Sequence, residues 1–316
     1  MGDECRDARL CVSVNKPSVP LLVIAGPTAS GKTALAIEIA LALNGEVVSA
    51  DSMQIYRGME IATAKPTAQE MRGVPHHLIN IAQPGERFSV AQYAPLAHAA
   101  IQEISRRGKL PILCGGTGLY IQAVTENLNY TEGEFEQNNT GTWQELQAID
   151  PIAAEKIHPN DQKRISHALA LYHSTGVSLT EQNLRSRRTP SPYDARMLFL
   201  NARERQSLYD RIDRRVEQML KAGLLQEARD KRQEARSTAA QAIGHKELEL
   251  YFLGQCTLEE AVESLKRETR RYAKRQLSWF RRMAREWNEQ KQGNCVELYF
   301  EDGNLLKQAL EFAQNL

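Results

Sequence analysis

The sequence is poor in cysteine, and the cysteines that it has are badly placed for a structural role. Only five occur among 316 residues, at wide spacings and with no Cys-x-x-Cys pair. We therefore expect neither a disulfide framework nor a structural zinc site, and a reducing cytoplasm fits this usage. The cysteines are Cys5, Cys11, Cys114, Cys256 and Cys295.

Long apolar runs and a strong net charge are also missing. No apolar run approaches the roughly eighteen residues that a membrane-spanning helix needs, so no membrane association is expected. Residues 1–17 are rich in charge and have no apolar secretion signal, which predicts a flexible tail. The net charge is only +1, so the charge of the whole chain indicates no partner.

A phosphate-binding loop is the strongest pattern that is present. Residues 26–33 read GPTASGKT, an apolar run at 21–25 precedes them and a helical pattern at 33–43 follows. Backbone N–H groups of such a loop can bind a di- or triphosphate, the lysine adds a positive charge, and the last hydroxyl can hold Mg²⁺. The predicted phosphate site consists of Gly26, Pro27, Thr28, Ala29, Ser30, Gly31, Lys32 and Thr33, with Thr33 as the Mg²⁺ ligand.

Two further strand ends are predicted to lie beside this loop. A strand at 46–49 is followed by Asp51, and a strand at 110–114 is followed by Gly115, Gly116 and Thr117. Ligands of doubly wound sheets bind beyond the carboxyl ends of the strands. Asp51 could therefore bind Mg²⁺ through water, accept a proton, or only cap a turn, and Thr117 could point its hydroxyl into the same crevice or belong to a plain tight turn.

The order of elements predicts an α/β protein. Strand and helix signals alternate up to about residue 125, including a helix at 90–107, which favours a P-loop NTPase-like parallel sheet flanked by helices. No predicted strand ends in the apolar run plus aspartate that holds Mg²⁺ in NTP hydrolases, which weakens an ATPase interpretation. Further strands are predicted at 197–200 and 296–300, and further helices at 204–221, 224–234, 258–287 and 305–312.

We divide the chain into a tail (1–17), the first part of the catalytic core (18–125), a helical insertion (126–192), and a return to the core with a basic helical part (193–316). The insertion begins with a polar loop and continues as helices broken at Pro151, Pro159 and Gly176, with Asp161 as a plausible helix cap. Residues 185–192 are predicted to be a connector.

Positive charge is concentrated in the C-terminal part. Residues 183–287 contain 24 Lys and Arg residues against 15 Asp and Glu residues. On a helix over 258–287, Leu265, Tyr272, Trp279 and Met283 would form an apolar seam and leave the arginines on other faces. We expect this face to contact nucleic acid or polyphosphate, although a solvated basic face is the plainer alternative.

Seven ordered segments resemble the tRNA dimethylallyltransferases, also called tRNA isopentenyltransferases, of the bacterial type. They span most of the chain, so the resemblance extends far beyond the phosphate loop. The segments are GPTASGKT (26–33), ADSMQIYRGMEIATAKP (50–66), PHHLI (75–79), GGTGLY (115–120), IHPND (157–161), AIGHKE (242–247) and YAKRQLSWFRR (272–282). Relative to this family the insertion is shortened.

The resemblance implies a prenyl transfer. A dimethylallyl group would pass from dimethylallyl pyrophosphate to N6 of the adenosine 3′ to the anticodon, and pyrophosphate would leave. Asp51 would be the general base, Thr117 would lie beside the reacting centre, and Lys32 and Mg²⁺ would stabilise the leaving group. Arg211 and Arg215 resemble a phosphate clamp. No obligate protein partner is evident.

The resemblance also implies a set of tRNA contacts around the anticodon stem-loop. The target base would have to leave its stack to reach the pyrophosphate. A basic helix would bind the phosphate backbone of the anticodon stem. The implied contacts are Asp51, Ser52, Met53, Gln54, Lys163, Arg164, Ile165, Ser166, His167, Gln241, Ala242, Ile243, Gly244, His245, Lys246 and Arg275.

Three alternatives remain open from the sequence. A small-molecule or nucleoside kinase would use the same phosphate loop, but it leaves the basic C-terminal part unexplained. An adenylate isopentenyltransferase would prenylate free AMP or ADP, against which the basic part and the IHPND segment argue. A non-catalytic RNA-binding protein would not need Lys32, Thr33, Asp51 and Thr117 together.

Overall fold

A computed structural model describes residues 18–129, 141–232, 242–290 and 294–316. Six parallel strands form one sheet in the order β3-β2-β4-β1-β5-β6, which confirms the predicted α/β class. The strands are β1 (Val19–Ala25), β2 (Gly45–Ser49), β3 (His76–His77), β4 (Leu110–Gly115), β5 (Tyr193–Asn201) and β6 (Cys295–Tyr299).

Thirteen helices accompany the sheet within these ranges. The first four are α1 (Lys32–Ala42), α2 (Ala68–Met71), α3 (Val90–Arg106) and α4 (Gly118–Thr125). The insertion contains α5 (Trp143–Ile149), α6 (Pro151–Lys156), α7 (Gln162–Thr175) and α8 (Leu179–Ser186). The remainder are α9 (Arg205–Lys221), α10 (Leu224–Lys231), α11 (His245–Phe252), α12 (Leu258–Gln290) and α13 (Leu305–Ala313).

The strands are apolar on both faces because helices cover both faces. Along β1, the side chains of Leu21, Val23 and Ala25 point into one core, while Leu22 and Ile24 point into the other. This alternation is the two-residue period of a strand. Helices α3, α4 and α12 cover the first face, and α1 and α13 cover the second.

The insertion has an apolar cluster of its own, to which α5, α6 and α7 contribute. Its helices break where the sequence predicts. Pro151 is the first residue of α6 with the Asp150 side chain as cap, and α7 ends at Gly176, whose φ is 69°. The Asp161 carboxylate accepts the Arg164 N–H at 3.2 Å, which confirms it as the cap of α7. Our division of the chain at residues 126 and 192 stays a prediction.

Several short elements were not predicted, namely α2, β3, α4 and α11, and α8 extends to Ser186, into the segment predicted as a connector. Each is too short to show a clear period in the sequence. The predicted tail at 1–17 and most of the predicted polar loop at the start of the insertion (127–141) lie outside the described residues. Among the residues described, no helix is long and apolar enough to cross a membrane.

Candidate active site

A cavity of about 880 Å³ lies at the carboxyl ends of β1, β2 and β4. The start of α1, the loop after β2, and the long helices α9 and α12 complete its walls. This is the position at which parallel α/β sheets bind ligands. The cavity brings together Lys32, Thr33, Asp51, Arg211 and Arg215, which the sequence analysis singled out from three separate segments.

The phosphate loop joins β1 to α1 in a conformation that needs its glycines. Gly26 packs so closely on β5 that a Cβ there would lie 2.6 Å from the Leu200 carbonyl oxygen. Gly31 has φ 90° and caps α1 without any side-chain hydrogen bond. The first N–H groups of α1 are therefore not capped by a side chain, and an anion could bind them.

Lys32 is the cation of this loop, and its side chain is partly buried. Its Nζ donates to the Pro27 carbonyl oxygen at 2.7 Å. Burial lowers the pKa of Lys32 from 10.5 to about 8, with Arg215 lowering it and Cys114 and Asp51 raising it to smaller extents. The ammonium is thus held in an environment that lacks an adequate anion, and a bound pyrophosphate would supply one.

The arginines of α9 extend the positive charge. Arg211, Arg214 and Arg215 all line the cavity, although the sequence analysis named only the first and third. Burial lowers the pKa of both Arg211 and Arg215. Within the described part of the chain, neither guanidinium forms an ion pair with a carboxylate, so this wall favours an anionic ligand.

Asp51 and Thr117 lie on adjoining turns. Asp51 Oδ1 accepts the N–H groups of Met53 at 2.9 Å and Gln54 at 3.4 Å, so one carboxylate oxygen also caps the turn. Thr117 Oγ1 accepts the Ser52 N–H at 3.0 Å. The two turns approach so closely that a Cβ on Gly115 would lie 2.1 Å from the Ala50 carbonyl oxygen.

Two polar residues of α12 reach this site without having been predicted to do so. Gln276 is buried and bonds to both the phosphate loop and the turn after β4. Tyr272, one helical turn earlier, lines the cavity, and burial raises its pKa, which the nearby polar groups of Thr117 and Gln276 partly offset. The predicted seam had placed Tyr272 among apolar core residues. In the structure the seam passes through Leu265, Ala273, Gln276, Phe280 and Met283.

The predicted RNA contacts divide into exposed and buried side chains. On α7, Lys163, Arg164 and His167 are exposed. Ile165 and Ser166 are buried at 0% and 3% exposure, and Ile165 packs into the apolar cluster of the insertion. Their side chains face the insertion's own interior, because α7 uses that face to pack on α5 and α6.

The second predicted RNA segment behaves similarly. Ala242 and His245 are buried, and Lys246 is exposed. His245 lies 3.5 Å from the Glu227 carboxylate, which also accepts the Ile61 and Ala62 N–H groups. Gly244 is buried, and Ile243 is partly buried, while Gln241 lies outside the described residues.

A row of exposed cations follows the outer side of α12 beside the cavity. These side chains are Arg267, Arg271, Lys274, Arg275, Arg281, Arg282 and Arg285. Some have partners on the same helix: Arg271 bonds Glu268 at 2.6 Å, and Arg282 lies 4.9 Å from the Trp279 ring centre. The face retains a large positive excess, which suits a phosphate backbone.

Comparison with known sequences identifies a family and close relatives. The family model described as IPP transferase matches residues 54–283. The chain is 49% identical over 279 residues to a tRNA dimethylallyltransferase of Halalkalibacterium halodurans, covering 84% of this chain and 88% of that protein. It is 46% identical over 281 residues to one of Caldanaerobacter subterraneus, with 84% and 89% covered.

Solved structures give the same relationship. A full-length tRNA isopentenylpyrophosphate transferase from Bacillus halodurans superposes with a TM-score of 0.69 at 44% identity, over 94% of this chain and 95% of that one. A eukaryotic dimethylallyltransferase acting on tRNA superposes with a TM-score of 0.79 at 30% identity, over 94% and 80%.

Proposed function

Since the chain belongs to the IPP transferase family, we propose that it transfers a dimethylallyl group from dimethylallyl pyrophosphate to N6 of the adenosine 3′ to the anticodon of a tRNA. One observation carries the proposal. A single cavity combines a phosphate loop and partly buried cations with a carboxylate, and an exposed basic helix lies beside it. The phosphate loop and the cations fit the pyrophosphate of the donor. The carboxylate fits the amine as an acceptor of its proton, and the basic helix fits an RNA.

The donor needs help mainly at its leaving group, because an allylic cation is stabilised by resonance. As the bond from C1 to the bridging oxygen breaks, negative charge grows on pyrophosphate. Lys32, Arg211 and Arg215 line the cavity in which we place this charge, and the N–H groups at the start of α1 would add their dipoles. Because these groups are fixed before the reaction, little reorganisation is needed.

Asp51 is suited to accept the proton. In our proposal the adenine N6 attacks C1, pyrophosphate departs with the electron pair, and the Asp51 carboxylate removes the N6 proton. Oδ1 accepts two backbone N–H groups, so in our proposal Oδ2 is the oxygen that accepts the proton from the adenine N6. The Thr117 hydroxyl does not line the cavity, but it accepts the N–H of Ser52, the residue after Asp51, and in our proposal it supports this turn.

Magnesium fits the donor set of this cavity. No group of three or more His, Cys, Asp or Glu side chains that could hold a metal occurs in the described ranges. These ranges therefore contain no metal site made of such side chains alone. Mg²⁺ commonly uses one or two protein oxygens with substrate phosphates and water, and Thr33 and Asp51 both line the cavity. When bound, Mg²⁺ would neutralise charge on the pyrophosphate.

We propose the cytoplasm as the compartment of this reaction. Cys114, Cys256 and Cys295 are free thiols, as is usual in reducing compartments.

A transfer assay tests the proposed function. Purified protein, Mg²⁺ and radiolabelled dimethylallyl pyrophosphate would be incubated with an unmodified tRNA that carries adenosine after the anticodon, and in parallel with AMP and with ADP. Label in the tRNA alone is expected. Label in AMP or ADP would identify an adenylate isopentenyltransferase. If no label is transferred but ATP is consumed with a small acceptor, the kinase alternative holds instead.

A further inference from the structure

Gln276 connects three parts of the molecule that are far apart in the chain. Its Oε1 accepts the Thr28 N–H at 2.8 Å, across 248 residues of sequence. Its Nε2 donates to the Gly116 carbonyl oxygen at 2.9 Å, across 160 residues. The side chain belongs to α12, whose neighbouring residues Lys274 and Arg275 are exposed on the basic face.

The amide is buried and its position is tightly defined. Gln276 is 6% exposed, and a buried amide that lost these partners would pay the cost of desolvation without compensation. A Cβ on Gly116 would lie only 2.3 Å from Gln276 Nε2. The turn after β4 therefore has room for the Gln276 amide only because residue 116 is a glycine.

The part of the phosphate loop that Gln276 holds is conformationally strained. Ala29, the residue after Thr28, has φ 63°, a left-handed conformation that costs a residue with a side chain about 1 kcal/mol or more. Within the loop, the Pro27 carbonyl oxygen accepts a long hydrogen bond of 3.4 Å from the Ser30 N–H and one of 2.7 Å from Lys32 Nζ. Such a conformation persists only when its surroundings fix it.

We propose that Gln276 is a positioning residue that keeps the phosphate loop in its anion-binding conformation from the RNA-facing helix. The inference rests on the proposed function for the identity of the donor, but its structural content is the affinity of the loop for pyrophosphate. In this proposal Gln276 contacts neither the C1 of the donor nor the N6 of the acceptor. Its effect passes through the Thr28 N–H and the shape of residues 27–30.

The test measures binding before it measures transfer. Inorganic pyrophosphate with Mg²⁺ would be titrated into the wild type and into Gln276→Met, which keeps the length of the side chain but removes both hydrogen bonds. We expect the Kd for pyrophosphate to rise about tenfold, in line with two lost buried hydrogen bonds. The Kd for an anticodon stem-loop RNA should change by less than about twofold, because the basic face is untouched.

Two further variants separate positioning from general damage to α12. Met283→Leu alters the packing of a buried residue of the same helix without touching the amide, and it should leave the Kd for pyrophosphate unchanged. Gly116→Ala displaces the same amide from the opposite side. It should weaken pyrophosphate binding as Gln276→Met does. The double variant should bind pyrophosphate no more weakly than the weaker-binding single variant, since both substitutions disrupt the contacts of the same amide.

In the transfer assay Gln276→Met and Gly116→Ala should raise the KM for dimethylallyl pyrophosphate more than they lower kcat. An unchanged Kd for pyrophosphate in Gln276→Met would overturn the inference. So would a parallel loss of pyrophosphate and RNA binding that Met283→Leu reproduces, since this would indicate damage to the helix. If the protein binds pyrophosphate as described but transfers no label, the proposed function fails while the positioning role stands.

Discussion

Asp51 has two tasks that a substitution can separate. Its Oδ1 caps the turn after β2, and its charge is proposed to accept the N6 proton. Asp51→Asn keeps an oxygen for the turn but cannot act as the base. We expect transfer to fall by about 10²–10⁴-fold, while the Kd for the stem-loop RNA and the melting temperature change little.

Single-turnover transfer under saturating donor measures the first effect, and fluorescence anisotropy measures the second. Asp194→Asn is a suitable control, because Asp194 is an exposed carboxylate on β5 outside the cavity. Transfer at the wild-type rate by Asp51→Asn would exclude Asp51 as the base.

Lys32 illustrates a residue that lowers stability for the sake of binding. Burial lowers the pKa of Lys32 to about 8, so at any pH below this value the folded protein carries a buried charge at a cost. Lys32→Met should therefore raise the free energy of unfolding at pH 7. The net gain should be about 1–3 kcal/mol, because loss of the hydrogen bond to Pro27 offsets part of it. The gain should disappear as the pH approaches 10.5, where the unfolded lysine also loses its proton.

The same variant should bind pyrophosphate at least tenfold more weakly, since a charge-assisted contact is lost. Thermal unfolding between pH 7 and 10 and pyrophosphate titration provide the two measurements. Lys221→Met, at an exposed lysine of α9, is the control. Destabilisation by Lys32→Met at neutral pH would contradict the electrostatic argument.

At the scale of elements, α12 performs two functions with two faces. The inner face packs Phe280 and Met283 against the sheet, and the outer face exposes cations. If the outer face binds RNA phosphates, Lys274→Ala and Arg281→Ala should weaken binding similarly for any stem sequence. Each should reduce the slope of log Kd against log salt by about one.

Stem-loop binding measured between 50 and 300 mM salt tests this. Lys307→Ala, on α13 at the far side of the sheet and 77% exposed, should leave the slope unchanged. A preference for one stem sequence that vanishes with Arg281→Ala would instead indicate base contacts, against the proposal of backbone binding.

Elements also mark the boundary of what the sequence can predict. The phosphate loop, Asp51 and Thr117 follow strands that the sequence identifies, so their convergence follows from the parallel sheet alone. Gln276 and Tyr272 enter the site from α12 only because that helix packs across α4 and β5, and no local pattern encodes this contact. The burial of Ile165 could have been read from its spacing with Ala168 and Leu169, an apolar stripe at helical period.

At the scale of the whole molecule, the end of the sheet opposite the cavity is stabilised by a buried carboxylate. Glu46 on β2 is 1% exposed, and it bonds Arg107 at 2.5 and 2.8 Å, Lys109 at 2.8 Å and His77 at 2.8 Å. These partners join β2 to β3 and to the segment between α3 and β4. The hydrogen bonds from Arg107 in particular hold the pKa of Glu46 far below its ordinary value, despite burial.

This arrangement predicts how the protein responds to acid. A carboxyl whose pKa is lower in the folded than in the unfolded state contributes stability above its unfolded pKa, near 4.3, and loses it as the pH falls. Glu46→Gln should lower the free energy of unfolding at pH 7 by about 2–4 kcal/mol, because it leaves the cations of Arg107 and Lys109 facing a neutral amide. The difference from wild type should shrink below about pH 4, where the wild-type carboxylate progressively loses this advantage.

Urea unfolding at pH 7, 5 and 3 measures both effects. Glu103→Gln is the matched control, since Glu103 also lies near Arg107, at 3.5 Å, but is 46% exposed. Exposed pairs of this kind contribute less than about 1 kcal/mol, so its loss should be small at every pH. A Glu46→Gln penalty that stayed constant down to pH 3 would show that the side chain acts through packing rather than through its charge. Because this cluster lies at the other end of the strands, pyrophosphate affinity should be unaffected, which separates the stability of the fold from the chemistry of the cavity.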